Sequence, residues 1–345
     1  MRTRPSGAAA GILLDRALGE PPAAWLHPVT MFGTLMLAVE DRLWREGAGA
    51  RVAGVAHAAV GLGVGALAGA LVRSAAATTY VAVSGRLLHD TALEIAASLD
   101  AGDLEGARAR LPDLAGRDPS MLGEGDIVRA VVESVAENTV DAIVAPALWG
   151  AVLGGAGALG YRAVNTMDSM VGHRSDRYGS YGWASARLDD AAGWLPARAT
   201  AALTAAVRPA AAAEVWRTVR RDAPAHPSPN AGVAEAAFAA ALGVRLGGTN
   251  RYGERVEHRP GLGRGRPPVS DDVHHAVRLS RDVSLALAAL LAVLATNRRP
   301  VRGSAGSDVD AYHRMPPGPD EQADAPADWS DLVDDTDWES LWPET

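Results

Sequence analysis

The sequence predicts an all-α, polytopic integral membrane protein, with roughly 4–5 membrane-embedded helices, some kinked or re-entrant, joined by helical soluble loops. Three observations predict it. Val52–Val72 carries no charged residue and is bracketed by Arg51 and Arg73; at about 20 residues it is long enough to span a bilayer. Ala142–Tyr161 is a second uncharged run. Ala, Gly, Val and Leu dominate and Phe is scarce, and such small side chains suit closely packed helices better than an aromatic core. The predicted organisation is a helical body over 1–302 and an acidic, disordered tail over 303–345.

Composition removes several function classes. There is no Cys, which excludes disulfides, thiolate catalysis and Cys-based zinc sites. All 33 basic residues are Arg. No lysine is therefore available for a P-loop, a Schiff base or adenylation, and a phosphate must be met by Arg, backbone N–H groups or a metal. The net charge of −8 belongs to the tail, whose 12 acids and one Arg leave 29 acids against 32 Arg in the body. The arginines are scattered and no recognition motif appears, so no nucleic-acid partner is expected.

Taken in order, residues 1–24 carry a short apolar run interrupted by Asp15-Arg16. That favours a helix touching or entering the membrane over a cleaved signal peptide. The prolines from Gly19 to Gly33 predict a shaped loop. His27 in it is a candidate for phosphate binding or proton donation, or a structural loop residue. In Val52–Val72, Gly61, Gly65 and Gly69 form a small-xxx-small face open to another helix. Ser74–Gly85 is apolar but short, a partial span or return helix. Leu87, Leu88, Thr91, Ala92 and Ile95 have helical spacing within a soluble region, 86–136. Asp118-Pro-Ser120 reads as a turn into the next helix.

That helix stacks Glu133, Glu137 and Asp141 four residues apart, on one face. Stacked like charges repel, so stability alone does not favour them. The spacing suits a divalent-cation site with Asn138 and Asn165 as further oxygen donors, or a solvated face. Ala142–Tyr161 follows, with Pro146 and five glycines, a composition for a kinked or re-entrant helix. Only a re-entrant path lets the acidic cluster meet the second polar cluster, Asn165, Asp168, His173 and Arg174, on one side of a membrane. Trp194 to Ala213 reads as a weak span or an interfacial helix, interrupted by Arg208; an arginine at a bilayer centre costs roughly 2.5–3.5 kcal/mol. Asp222–Gly232 is a stiff proline loop, Glu235–Gly243 a helix, and Gly261–Arg266 a weak candidate phosphate cradle. Val283–Thr296 is a last apolar run, short for a span. Trp329, Leu332, Val333, Leu341 and Trp342 suggest a short amphipathic piece in the tail.

Long ordered motifs run from about residue 10 to 300: GEPP with HPV, ESVAENTVDAIVAP, YRAVNTMDSMVGHR, SARLDD with WLPAR, DAPAHPSPNAG, EAAFAAALGVRLGG and NRYG. In these the chain resembles the CobD/CbiB family, the adenosylcobinamide-phosphate synthases of cobalamin biosynthesis. The acidic tail has no part in the likeness. The resemblance implies a multi-pass cell-membrane enzyme that joins (R)-1-amino-2-propanol phosphate, or aminopropanol, to the propionate carboxylate of adenosylcobyric acid. The reaction is an ATP-dependent amide ligation. With it, Glu137, Asp141 and Asp168 become the candidate ligands of Mg²⁺, assisted by Asn138 and Asn165. Arg174 and Arg187 are candidates for phosphate, His173 for the base, Asp189 and Asp190 for the amine or a second metal, and Asn230 for substrate. The lipid bilayer and other corrinoid-pathway enzymes are the expected partners. A membrane transporter or a scaffold for corrinoid intermediates are the alternatives from other classes.

Overall fold

The computed structural model of the chain describes residues 3–20, 27–116, 118–173, 175–252 and 255–297. The acidic tail, where the sequence suggests an amphipathic piece, lies outside them, as does most of the GEPP segment. Helix α1 (Thr3–Leu18) buries Ala8, Ala9 and Ile12. Helix α2 (Pro28–Leu43) begins where His27 Nδ1 accepts the Val29 N–H at 3.3 Å, so His27 is a helix cap, the structural one of its two readings.

Helix α3 (Ala50–Leu71) is the predicted span. With its preceding turn, Gly47–Leu71 has a mean hydropathy of 1.7 and only 39% of its apolar window is buried. Most of the helix therefore faces outward. Its glycine stripe receives a later helix, α9 (Gly155–Val171). A Cβ at Gly65 would lie 2.5 Å from that of Ala163, and one at Gly69 would lie 2.0 Å from the Gly155 carbonyl oxygen. The expected close approach is thus real, and backbone-to-backbone contact replaces side-chain packing there.

Short α4 (Ala75–Ala82) lies against α1, and α5 (Gly85–Asp100) and α6 (Leu104–Arg110) follow. Asp118 accepts the Ser120 N–H at 3.0 Å, making the expected turn. Helix α7 (Glu124–Thr139) has acids in its first turn and apolar residues on all sides, with Ile127, Val128, Val131, Val132 and Val135 buried. A helix buried on every side belongs at the centre, and α5, α13 (Ala231–Leu242) and α14 (Ser270–Asn297) surround it.

The uncharged run Ala142–Tyr161 is broken. A π-helical turn, Val140–Val144, leads to α8 (Ala145–Leu153), and Gly154 with φ of 70° and ψ of −148° reverses the chain into α9. A Cβ at Gly157 would lie 2.2 Å from the Trp149 carbonyl oxygen, so the two helices lie back to back. At 9 residues, α8 is about 14 Å long, half a bilayer core at most. The hairpin returns the second polar cluster to the side of the first, the geometry that a re-entrant path requires.

Helix α10 (Tyr178–Tyr181) is one turn and α11 (Trp183–Val207) is long, with Pro196 inside it. Arg208 is not trapped in a helix, as the reading of Trp194–Ala213 supposed. It ends α11 and pairs with Asp282 at 2.8 Å, because Pro209 cannot continue the hydrogen-bond ladder. Helix α12 (Ala212–Asp222), a proline-rich turn and α13 follow. A β-hairpin then appears that the sequence pattern did not suggest: β1 (Leu246–Tyr252) pairs antiparallel with β2 (Arg255–Leu262), with an irregularity between Leu246 and Gly248. The Gly261–Arg266 stretch is therefore no phosphate cradle. The Gly263 N–H already donates to Asp222 at 2.9 Å, and Arg266 makes two hydrogen bonds to Asp272. The last apolar run is not short either. It is the second half of α14, and Ser270–Thr296 is the other helix, among the described residues, long and apolar enough to cross a membrane. The expectation of four or five embedded helices thus meets two full-length candidates by length and composition.

Candidate active site

Four segments supply most of the lining of a cavity of about 620 Å³, to which β2 adds Arg259. The end of α7 and the π turn contribute Glu137 and Asp141; the end of α9 contributes Asp168 and His173; α11 contributes Asp189 and Asp190; the loop before α13 contributes His226 and Asn230. Sequence reading put seven of these eight in one site.

The acidic face of α7 does not stay together. Each four-residue step overshoots a full helical turn by about 40°, so Glu133 and Asp141 point about 80° apart before the π turn adds its extra residue. Glu133 is buried away from the cavity, where it accepts the Gly247 N–H at 2.7 Å. Arg129 donates to the Gly247 carbonyl at 2.7 Å. Together they clamp the first glycines of β1. Asn138 is also turned away: its amide donates to the Ser134 carbonyl at 3.0 Å and it does not line the cavity. Asn165 stands behind the wall and donates to Asp189 at 3.3 Å. Arg174 lies outside the described residues.

The remaining carboxylates crowd one another. Burial raises Asp168 to about 6, helped by Asp190 and Glu137. Burial raises Asp189 as well, with Asp168 adding to it and the Asn165 amide opposing. Asp141 rises through burial first, then through Asp189 and Glu137. Such a set binds protons or a cation in preference to standing fully charged. The donors are all oxygen, the kind that Mg²⁺ takes. Among the described residues no three acidic or imidazole side chains converge as a ready-made ligand cage. Mg²⁺ suits that openness, because it is usually held by one or two carboxylates together with water and substrate phosphates.

A second cavity of about 630 Å³ borders the first along Gly172, Asp190 and His226, and Arg187 and Arg198 line it. Arg187 lies 3.6 Å from Asp190 and is largely exposed. Arg198 donates to Asn230 Oδ1 at 3.1 Å, while Asn230 donates to the Asp190 carbonyl at 2.9 Å. Asn230 therefore ties α13 to α11 as well as facing the site. His173 sits exposed at the rim with its ring edge-on to Tyr178.

Sequence reasoning missed the floor. His226 Nε2 lies 3.7 Å from Glu235 and Arg259 Nη1 lies 3.9 Å from it, with Glu235 fully buried in α13. The available signal was a lone acid in the otherwise apolar helix AGVAEAAFAAAL.

Residues 8–280 match the CobD/CbiB protein family, a stretch that includes every residue lining the first cavity. The "Cobalamin biosynthesis protein CobD" of Mycobacterium tuberculosis is 46% identical over 312 residues, covering 87% of this chain and 98% of that protein. Its namesake in Rhodobacter capsulatus is 41% identical over 299 residues, 82% of this chain and 94% of the relative. That of Geobacter metallireducens is 40% identical over 303 residues, 83% and 95% respectively. No solved structure matches the chain. Since the match runs through α3, the broken α8–α9 hairpin and the whole carboxylate cavity, the chain belongs to the CobD/CbiB family.

Proposed function

We propose that this chain acts in cobalamin biosynthesis as a multi-pass cell-membrane enzyme, joining aminopropanol or its phosphate to adenosylcobyric acid with consumption of ATP. The observation that supports it most is the carboxylate-lined cavity of Glu137, Asp141, Asp168, Asp189 and Asp190 beside an arginine-lined one. An amide ligation has to handle anionic phosphates and a cationic amine at adjoining places, and the two cavities offer those two environments.

A carboxylate is a poor acyl donor. In the proposed sequence the propionate oxygen takes the terminal phosphoryl group of ATP, the amine nitrogen attacks the carbonyl carbon, and phosphate leaves with the carbonyl–oxygen bond. One or two of Glu137, Asp141 and Asp168, together with water and the phosphate oxygens of ATP, would hold Mg²⁺, which supplies neutralisation of charge on the phosphoryl group. Arg187 and Arg198 hold phosphate oxygens in place of the absent lysine. Asp189 and Asp190 receive the ammonium group. The proton it must lose passes to His173 at the rim or to a carboxylate whose proton affinity burial has raised.

The test is product formation by the purified chain in detergent, given adenosylcobyric acid, ATP, Mg²⁺ and each amine in turn. Mass spectrometry should show the amide and an equal amount of hydrolysed nucleotide. Recovery of unchanged corrinoid would sink the reading; delivery of unchanged corrinoid into sealed vesicles would point to transport. Fractionation tests the membrane part: the chain should stay with the membranes after low-salt lysis and leave them only with detergent.

A further inference from the structure

We propose that a separate cavity between α1, α5 and α14 is a headgroup site for an anionic phospholipid. This rests on the membrane-embedded reading above. The cavity measures about 280 Å³ and is lined by Asp15 and Arg16 from α1, Arg86, His89 and Asp90 from α5, and Arg281, Ser284 and Leu285 from α14.

Three arginines and two acids face this space, but the acids are engaged. Asp15 accepts the Arg86 backbone N–H at 3.0 Å and Asp90 accepts Arg86 Nε at 3.3 Å. The Arg86 guanidinium is further held by the Ala17 carbonyl at 3.2 Å. Arg16 and Arg281 pair with no acid among the described residues, although both line the cavity. Their field reaches the buried His89 ring. Burial first, then Arg281 and Arg16, push that imidazole down to about 3, so it stays neutral. Ser280 Oγ lies 2.8 Å from its Nε2. Two guanidiniums with unused donors are what a phosphodiester requires.

The apolar surroundings identify the source of that phosphate. Both helices change character at the level of the cavity. In α14, Asp271, Asp272, Arg278, Arg281 and Asp282 give way to an uncharged run from Val283 to Thr296. In α1 the apolar stretch Ala8–Leu14 ends in Asp15 and Arg16. Leu13, Leu14 and Leu285 are exposed within one turn of the arginines. Cations at the edge of an exposed apolar surface match the charge order of a phospholipid, with the phosphate at the arginines and the acyl chains along the leucines. A free anion would leave the apolar border without a role.

The experiment uses the full chain extracted in mild detergent, with phosphatidylglycerol and phosphatidylcholine added and bound lipid read by native mass spectrometry. Phosphatidylglycerol should be retained in preference. Arg16→Gln and Arg281→Gln should each lower its retention by about fivefold, and Arg281→Lys should keep most of it. Inorganic phosphate should not displace the lipid. Equal retention of the two lipids, unchanged retention in folded glutamine variants, or displacement by inorganic phosphate would overturn the proposal. If Arg281→Gln fails to fold, the exposed Arg16→Gln carries the same test. Fractionation separates the two layers: a chain found soluble defeats the membrane reading itself, whereas a membrane-bound chain without lipid preference defeats only the headgroup site.

Discussion

The Tyr161 phenol donates to Asp141 Oδ1 at 3.1 Å, joining α9 to the π turn across the whole α8–α9 hairpin. One carboxylate oxygen of Asp141 is thereby held in place while the residue still faces the cavity with Glu137. Removing the phenol with Tyr161→Phe leaves a buried Asp141 oxygen without its donor and should cost about 1–3 kcal/mol. Thermal unfolding in detergent measures it; an unchanged midpoint would mean the contact does not fix the hairpin.

Amide variants of the cavity acids separate charge from shape. Asp141→Asn can still accept from Tyr161, and Glu137→Gln keeps its volume, so both should fold. Each removes an anionic oxygen that a hard cation prefers. Amide formation should fall at least about tenfold or need far more Mg²⁺. Normal metal dependence in both variants would take these residues out of the site and leave Asp168, Asp189 and Asp190 as the acids to test.

Glu133 gives the contrasting case. In Glu133→Ala the buried Gly247 N–H loses its acceptor, which should cost about 1–3 kcal/mol. The Mg²⁺ dependence of the remaining activity should match that of the wild type, because Glu133 does not line the cavity. A changed metal requirement would return Glu133 to the site.

The pH dependence of stability has a definite sign. Asp168 holds its proton more tightly when folded, at about 6 against an ordinary value of 3.8. Folding therefore takes up a proton between those values, and this contribution to stability grows as pH falls through about 6 and is lost as pH rises through it. Relative to Asp168→Asn, the metal-free wild type should gain on the order of 2 kcal/mol between pH 8 and pH 4. Parallel stability curves for the two proteins would show that the Asp168 carboxyl is not perturbed.

Truncation after Arg302 should leave turnover within a few-fold of the full chain, since the family match ends at residue 280. A folded truncation without activity would assign the acidic tail to the site.

What the sequence determined by itself was local. The glycine stripe of α3, the helix break among the glycines after Pro146 and the Asp118 turn all follow from side-chain size, backbone freedom and spacing within a few residues. The resemblance, and no local pattern, grouped Glu137, Asp141, Asp168, Asp189 and Asp190, and all five line one cavity. Only the tertiary structure decided which member of a row faces which neighbour. Glu133 left the acidic row because the four-residue step drifts around a helix and the π turn shifts it further. Asn138 turned back to Ser134, Arg208 met Asp282 from α14, and Glu235 found His226 and Arg259 across a loop and a strand. The Asn138 turn aside, these contacts join residues 9 to 74 positions apart, and their partners are chosen by how the helices pack, a quantity that no local pattern contains.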